Sequence, residues 1–420
     1  MNKSNSTNSF FRVFPALTHA PFRWFWGGQI ISMVGTWTQN IGQAWLVLQL
    51  TNSPFLLGLV SAMQFLPMLI FSLHAGAWID RMPKRRIIIL TQTALMILAF
   101  ILAILIGTGL IQYWMLLILA FCLGVVNTVD VPARQSFVIE LAGRKDLSNA
   151  IALNSAVFNG ARIVGPAIAG IIMGAWGPTW CFLINGLSFL GVIAILIFLP
   201  VIPQGSISAS RQGKVWPEIK EGLAYIRKTP AILLSIIMLG FLSAVAMNFN
   251  VLVPVLAKME LNQQALGYGV LMSSMGFGAL IGALSVAMRG GSKPQWRTLF
   301  TGAIGLAVFS ILLGLQSKYW AAAIMLAFMG WSMITFSASV NSLIQLTVAN
   351  GFRGRVMSVY SLVFGGISPI GSFYAGSLAH LWGARATFIF SGILSVIFLL
   401  GIIALIKCRR SGRYVDRHNF

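Results

Sequence analysis

Twelve apolar runs follow one another along this chain, each close to the roughly 20 residues that an α-helix needs to cross the hydrocarbon core of a bilayer. They fall near 24–50, 54–79, 87–108, 113–136, 148–175, 179–199, 231–257, 265–289, 297–316, 319–346, 354–381 and 385–406. Lipid offers no partner for a free N–H or C=O, so only helices and closed barrels cross it. These runs are continuous and lack the period-two alternation of barrel strands. The expected fold is therefore an all-α membrane protein with twelve transmembrane helices. Composition agrees: 57% of the 420 residues are hydrophobic and 9% are charged, against roughly 25% charged in a soluble domain.

The net charge of +21 raises the question of nucleic acid. Its distribution answers otherwise. With the first residue inside, nearly all the Lys and Arg fall in one set of alternate loops. Only Lys258, Lys318 and Arg385 fall in the other set, and Arg162 lies within a run. Retention of cations on the inner side is an orientation signal, and a nucleic-acid face of clustered cations with interleaved aromatics is not seen. The chain is read as multi-pass in a plasma membrane of the bacterial inner-membrane type, both termini cytoplasmic. Cys122, Cys181 and Cys408 suggest neither a disulfide framework nor a metal site. The first twenty residues are polar and carry no signal-peptide core. No Walker loop, nucleotide motif or nucleophile–base pair is present, so an enzyme or an ATP-driven pump is not expected, nor is a cofactor.

The polar stretch 203–230 divides the runs six and six. The expected organisation is an N-terminal bundle at 1–202, a cytoplasmic linker at 203–230 and a C-terminal bundle with a basic tail at 231–420. Lys220 to Lys228 has the pattern of a short amphipathic surface helix. A shift of 206 residues, as from Gly177 to Gly383, also pairs Gly124 with Gly330, Ser136 with Ser342, Gly165 with Gly371, Gly170 with Gly376 and Gly76 with Gly282. One register serving four spans points to two pseudo-symmetric halves.

The loop from Gly76 to Arg86 reads G-A-W-I-D-R-M-P-K-R-R. It resembles the G-x-x-x-D-R-x-G-R-R signature between the second and third helices of the major facilitator superfamily, with Pro83 in place of the second glycine. Parallel repeats with a site at their interface are that superfamily's architecture. W-G-G-Q-I-I-S-M-V-G-T-W at 26–37, D-V-P-A-R-Q at 130–135 and N-A-I-A-L-N-S at 149–155 resemble the branch containing enterobactin-type siderophore exporters and macrolide efflux proteins. The fifth span's G-x-x-x-x-G-P-x-x-x-G, from Gly160 to Gly170, is similar to an exporter motif, with Ala169-Gly170 for its usual double glycine. The fourth-span Arg of proton-coupled drug exporters is Ala120 here.

The resemblance implies a cytoplasmic latch of Gly76, Asp80, Arg81, Arg85 and Arg355, in which Asp80 meets the start of the eleventh span. A carboxylate at a helix N-terminus suits its unpaired N–H groups; the bland reading is a charge that marks topology. It also implies a cavity lined by spans one, four, seven and ten. Neutral polar stripes lie there: Gln29, Ser32, Thr36, Gln39 and Gln43; Asn127; Asn250; and Ser332, Thr335 and Ser339. Such residues must face protein or water, as cavity lining or as interhelical hydrogen bonds. Asp130 and Arg134 sit one turn apart and can pair; Asp130 is either a protonation site or a permanently paired carboxylate. Arg162, costly at mid-membrane, is either a gating or substrate charge or half of a buried pair, with Asp130 or an anionic substrate as partner. Gly165 and Pro166 permit close packing and a kink, a seal for the outer half or plain packing. His74 and His380 near the two faces are titratable, or simply structural.

The expected function is export of an amphipathic small molecule, a siderophore-like metabolite or a drug, by a monomer that exchanges it for protons by alternating access. Alternatives are import of a siderophore or other metabolite, lysophospholipid translocation, and a receptor or scaffold without flux. Expected partners are the small-molecule substrate, protons and the lipid bilayer.

Overall fold

The computed structural model describes residues 14–143, 145–200, 215–289 and 295–415; of these, the side chains of 73–78, 80–81, 215–219, 350 and 408–415 lie outside the described set. Every regular element among the described residues is helical. A 3₁₀ turn (Pro15–Thr18) precedes α1 (Ala20–Thr51), α2 (Pro54–Arg81), α3 (Lys84–Gly107), α4 (Tyr113–Ala142), α5 (Leu147–Trp176) and α6 (Thr179–Phe198). Then come α7 (Val215–Lys228), α8 (Pro230–Val245), α9 (Phe249–Val255) with a π-helical turn at Leu256–Glu260, α10 (Ala265–Met288), α11 (Trp296–Gly314), α12 (Tyr319–Thr347), α13 (Arg353–Gly366) and α14 (Ser368–Val415).

Ten stretches among the described residues are long and apolar enough to cross a membrane. The expectation of twelve differs from this for two local reasons. The helix α1 is 32 residues long, about 48 Å at 1.5 Å per residue. Its Gln29, Thr36, Gln39 and Gln43 lower its hydropathy, and it is absent from the ten. The run Arg353–Lys407 counts once although Gly383 inside it is not helical. Side chains such as Ile31, Leu90, Ile104, Phe198 and Leu405 stand more than half exposed. Apolar exposure on this scale needs lipid to cover it, and the chain is a multi-pass membrane protein.

Helix ends are written in local chemistry. Asn52 closes α1 in the left-handed conformation, and Ser53 Oγ accepts from Leu56 N (3.3 Å) to cap α2, with Pro54 at its first position. That satisfies one of the unpaired N–H groups with the proline where none is needed. Between α8 and α9 the helix breaks at 246–248. There Asn248 Nδ2 donates to Ala244 O (2.7 Å), standing in for the backbone bond its own N–H would make.

The chain forms two compact units, Met1–Val215 with Gln263–Ser273 and Trp216–Asn262 with Ser274–Phe420. In the first, α2 packs on α4, α3 on α6, and α1 on α5 and α6. A core of Phe22, Phe25, Ile87, Phe137 and Leu196 fills one end, with Phe25 edge-on to Phe137 at 5.3 Å. In the second, α11 packs on α12 and α14, and α8 on α12 and α14.

Internally the units use the same joints. In the first, a Cβ on Gly124 would overlap the Gln64 carbonyl; in the second, a Cβ on Gly330 would overlap that of Met275. Gly165 faces the Val34 carbonyl and the Trp37 side chain, while Gly371 faces the Ala244 carbonyl and Asn248. Each glycine pair obeys the 206-residue register. Gly177 (φ 87°) and Gly383 (φ 82°) obey it too, and each turns the chain between two helical stretches in a conformation that costs other residues roughly 1–2 kcal/mol. After Gly383, Glu260 caps the restarting helix: its carboxylate accepts from Ala384 N and from Arg385 N (3.1 Å). An acid there answers both the free N–H groups and the dipole.

Candidate functional site

A buried charge centre lies in the first unit. Asp130 on α4 is 2% exposed. Its Oδ1 accepts from Thr91 Oγ1 (2.6 Å) and Gln92 Nε2 (2.9 Å), and its Oδ2 accepts from Arg134 Nε (2.6 Å). Three side chains thus converge on one carboxyl group, and Thr91 Oγ1 has Ile88 O (3.1 Å) as a second acceptor for its one proton. Arg134 Nη1 and Gln92 Oε1 are buried without a hydrogen-bond partner. The i, i+4 pair expected from sequence therefore forms, and α3 supplies the rest of its cage. Asp130 is thus engaged by Arg134 and α3. The polar triplet Thr91-Gln92-Thr93 inside an apolar run was the available signal for this cage.

The polar face of α1 is divided. Gln39 is buried and accepts from Asn185 Nδ2 (2.7 Å) of α6, and Gln43 Nε2 donates to Gln64 Oε1 (3.1 Å) of α2. These two stitch the bundle, and Asn185 and Gln64 were not singled out by sequence. Gln29 and Ser32 are buried with Gln29 Oε1 and Ser32 Oγ unpartnered. Thr36, half-buried, donates back to Ser32 O (2.9 Å). Asn127 is half-buried on α4.

On α5, Arg162 is half-buried with its guanidinium 5.9 Å from the Trp37 ring centroid, and Trp37 meets Phe158 edge-on at 5.7 Å. A cation over an indole face contributes about 0.5–2 kcal/mol. One turn on, Gly165 lies against α1, and Thr38 Oγ1 donates to its carbonyl (3.2 Å). Pro166 has no N–H for the Arg162 carbonyl. The start of α10, which belongs to the same unit, seats on the far side of this helix. A Cβ on Gly269 would meet the Pro166 carbonyl and the Gly170 backbone, and Ser273 Oγ donates to Ile163 O (2.7 Å). Trp45 stacks on the buried Tyr268 at 5.7 Å. Small residues at 165, 169 and 170 thus let two helices close on α5.

Of the latch residues, Gly76, Asp80 and Arg81 fall in α2 with side chains outside the described residues, as does His74. Arg85 Nη2 donates to Ile197 O (2.9 Å). Arg355 pairs with Glu221 of α7 (2.7 Å). Around that pair, α7 docks on the turn before α13. Tyr225 stacks on Phe352 at 4.6 Å, the Tyr225 hydroxyl accepts from Ala349 N (3.1 Å), and Gly222 abuts Arg355. Glu221 is 56% and Arg355 29% exposed in their side chains, so their ion pair is worth at most about 1 kcal/mol. The half-buried stack and the hydroxyl bond contribute more, about 1–2 kcal/mol together. Tyr225→Ala is therefore expected to lower the thermal midpoint in nanodiscs more than Glu221→Gln does; the reverse order would show that the ion pair holds the helix.

In the second unit, Ser332 is fully buried, donates to Phe328 O (2.8 Å) and faces Gly305 of α11. Thr335 is fully buried with its hydroxyl unpartnered, Ser339 is buried and Asn250 is exposed. The adjacent face of α12 lines a cleft of about 470 Å³ with Tyr360 and Phe364 of α13. Ser342, in register with Ser136, lies on it. No group of three or more His, Cys, Asp or Glu able to hold a metal occurs among the described residues.

Packed apolar helices in each unit, with a charge cage buried in the first and buried polar side chains in both, are the build of a membrane transporter. Residues 12–414 match the transmembrane secretion effector family, and the chain belongs to that family of the major facilitator superfamily. The staphyloferrin A transporter of Staphylococcus aureus is 23% identical over 89% of this chain and 93% of its own length. The multidrug efflux pump Tap of Mycolicibacterium fortuitum is 28% identical over 86% and 89%. Macrolide efflux protein A of Streptococcus pyogenes is 23% identical over 89% and 93%. Among solved structures, a mutant of the nucleoside transporter NupG superposes with a TM-score of 0.73 at 11% identity, covering 92% of this chain and 99% of that one. These relatives are transporters and not enzymes.

Proposed function

We propose that this protein exports an amphipathic small molecule, a siderophore-like metabolite or a drug, in exchange for protons and by alternating access. The observation that carries the reading is the family match over 12–414, joined by two efflux proteins aligned over most of their length. In this reading α1 is a span despite its polar face, and Gly383 separates two spans, giving twelve in two six-helix bundles. The monomer sits in a bacterial inner membrane with both termini in the cytoplasm. Asp130, held by Thr91, Gln92 and Arg134, is the proton-coupling candidate. Arg162 over Trp37 is a substrate or gating charge. Gly165 and Pro166 seal the outer half and the Asp80 loop latches the inner half. Gln29, Ser32, Thr36, Asn127, Asn250, Thr335 and Ser339 supply the polar lining of the substrate path.

The test is efflux from vesicles loaded with a substrate and given an imposed pH gradient. Export driven by protons is expected to rise with the gradient and to collapse when a protonophore removes it. Flux indifferent to the gradient removes proton coupling. Net accumulation against loss from the vesicle reverses the direction.

A further inference from the structure

The cleft beside α12 has a definite chemistry. Its α12 wall repeats Ile334, Ala338, Asn341 and Gln345, one face of the helix over three turns, and Tyr360 closes the other side. Gln345 Nε2 donates to Asn341 Oδ1 (2.6 Å), and the Asn341 side chain meets the Tyr360 hydroxyl. This leaves the Gln345 carbonyl oxygen and an Asn341 N–H for a guest. Tyr360 and Phe364 lie parallel within 4°, their centroids 6.0 Å apart, and give the cleft an aromatic wall against which a ring can pack. No Asp, Glu, Lys, Arg or His lines the space. Arg353, at the start of α13, gives its Nη2 to the Gln345 backbone carbonyl (3.3 Å).

The volume suits a drug-sized ligand, whose pockets run from about 300 to 1,000 Å³. A charge brought there meets no counter-charge among the lining side chains, whereas an uncharged guest meets the hydrogen-bonding groups of a paired amide and a phenol. We infer that Asn341, Gln345, Tyr360 and Phe364 form a binding subsite for an uncharged, ring-bearing molecule with amide or hydroxyl groups. This deepens the export reading and rests on it for its biological sense. It places recognition on neutral amphipathic solutes, at the expense of polyanionic chelators and organic cations.

The experiment is equilibrium binding of radiolabelled chloramphenicol, an uncharged nitroaromatic amide, to the full-length protein in nanodiscs. Linezolid is the uncharged competitor, citrate the anionic one and ethidium the cationic one. Saturable binding displaced by linezolid and not by citrate or ethidium is expected. Tyr360→Ala and Asn341→Ala are each expected to weaken it about tenfold, the loss of a stacked ring or of a ligand hydrogen bond. Tyr360→Phe, which keeps the ring, loses less than Tyr360→Ala. Phe364→Leu and Asn341→Ser replace any variant that does not run as a monodisperse particle. Absence of saturable binding, displacement by citrate equal to that by linezolid, or affinities unchanged across all these variants overturns the subsite. Binding that behaves as expected in a protein without gradient-driven flux would instead overturn the export reading and leave the subsite standing.

Discussion

Gly278→Leu is expected to abolish the folded protein. A Cβ at that position would fall on the carbonyl of Ala327, which is backbone of the facing helix α12 and cannot rotate aside. The same crossing carries Gly282 against the Trp331 carbonyl (2.7 Å from the added carbon) and Gly330 against that of Met275. Relief would require α10 and α12 to separate along three contacts at once. Overpacking of side chains typically costs 1–3 kcal/mol, and displacing two backbones exceeds it, beyond about 4 kcal/mol, a large share of a typical total stability. Size-exclusion profiles of fluorescently tagged protein read this out as loss of the monodisperse peak. Gly401→Leu is the matched control, since an added Cβ there meets nothing within 4 Å. Equal behaviour of the two variants would refute the close approach of α10 and α12.

Asp130→Ala is the second large effect. Removing the carboxylate leaves Arg134, with 11% of its side chain exposed, as a buried cation without its partner, and leaves the Gln92 amide without its acceptor, while Thr91 Oγ1 keeps Ile88 O. Breaking a buried pair from one side costs about 3–5 kcal/mol. Replacing both partners, Asp130→Leu with Arg134→Met, is expected to recover most of that loss, because the uncompensated charge goes with them. Thermal unfolding in nanodiscs distinguishes the two cases: a double variant as unstable as the single one would mean that the cage, and not the charge, is what matters. Asp130→Asn keeps the shape and removes the anion. It is expected to fold and, if this carboxylate carries the proton, to transport without regard to an imposed pH gradient.

Much of this architecture can be read from residues alone, because a bilayer leaves few choices. Continuous apolar runs have to be helices, and the 206-residue register marks Gly124 and Gly330, Gly165 and Gly371 as equivalent before any contact is known. The i, i+4 spacing of Asp130 and Arg134 already permits their pair. What the chain does not disclose is the partner of each polar side chain. Gln39 and Gln43 lie on the same stripe as Gln29 and Ser32, yet they bond Asn185 and Gln64. Helical periodicity assigns a face and leaves the neighbour open, and a single Asn or Gln in an apolar run gives no hint of which helix it will meet. The same holds on α12. There Ser332 turns toward Gly305 while Asn341 and Gln345, on the opposite side of the helix, line the cleft. The amphipathic pattern of Lys220 to Lys228 foretells a surface helix, but the docking of Tyr225 on Phe352 depends on a turn over a hundred residues downstream.

The left-handed glycines at 177 and 383 have an evolutionary consequence. A half-length ancestor that doubled would have copied this bend along with its helices, and neither copy can drift to a β-carbon without strain. Their surroundings are under no such restraint: Pro178 follows one, while a distant carboxylate came to serve the other. The bend is what the two halves hold in common, and the clasp of Glu260 is where they differ.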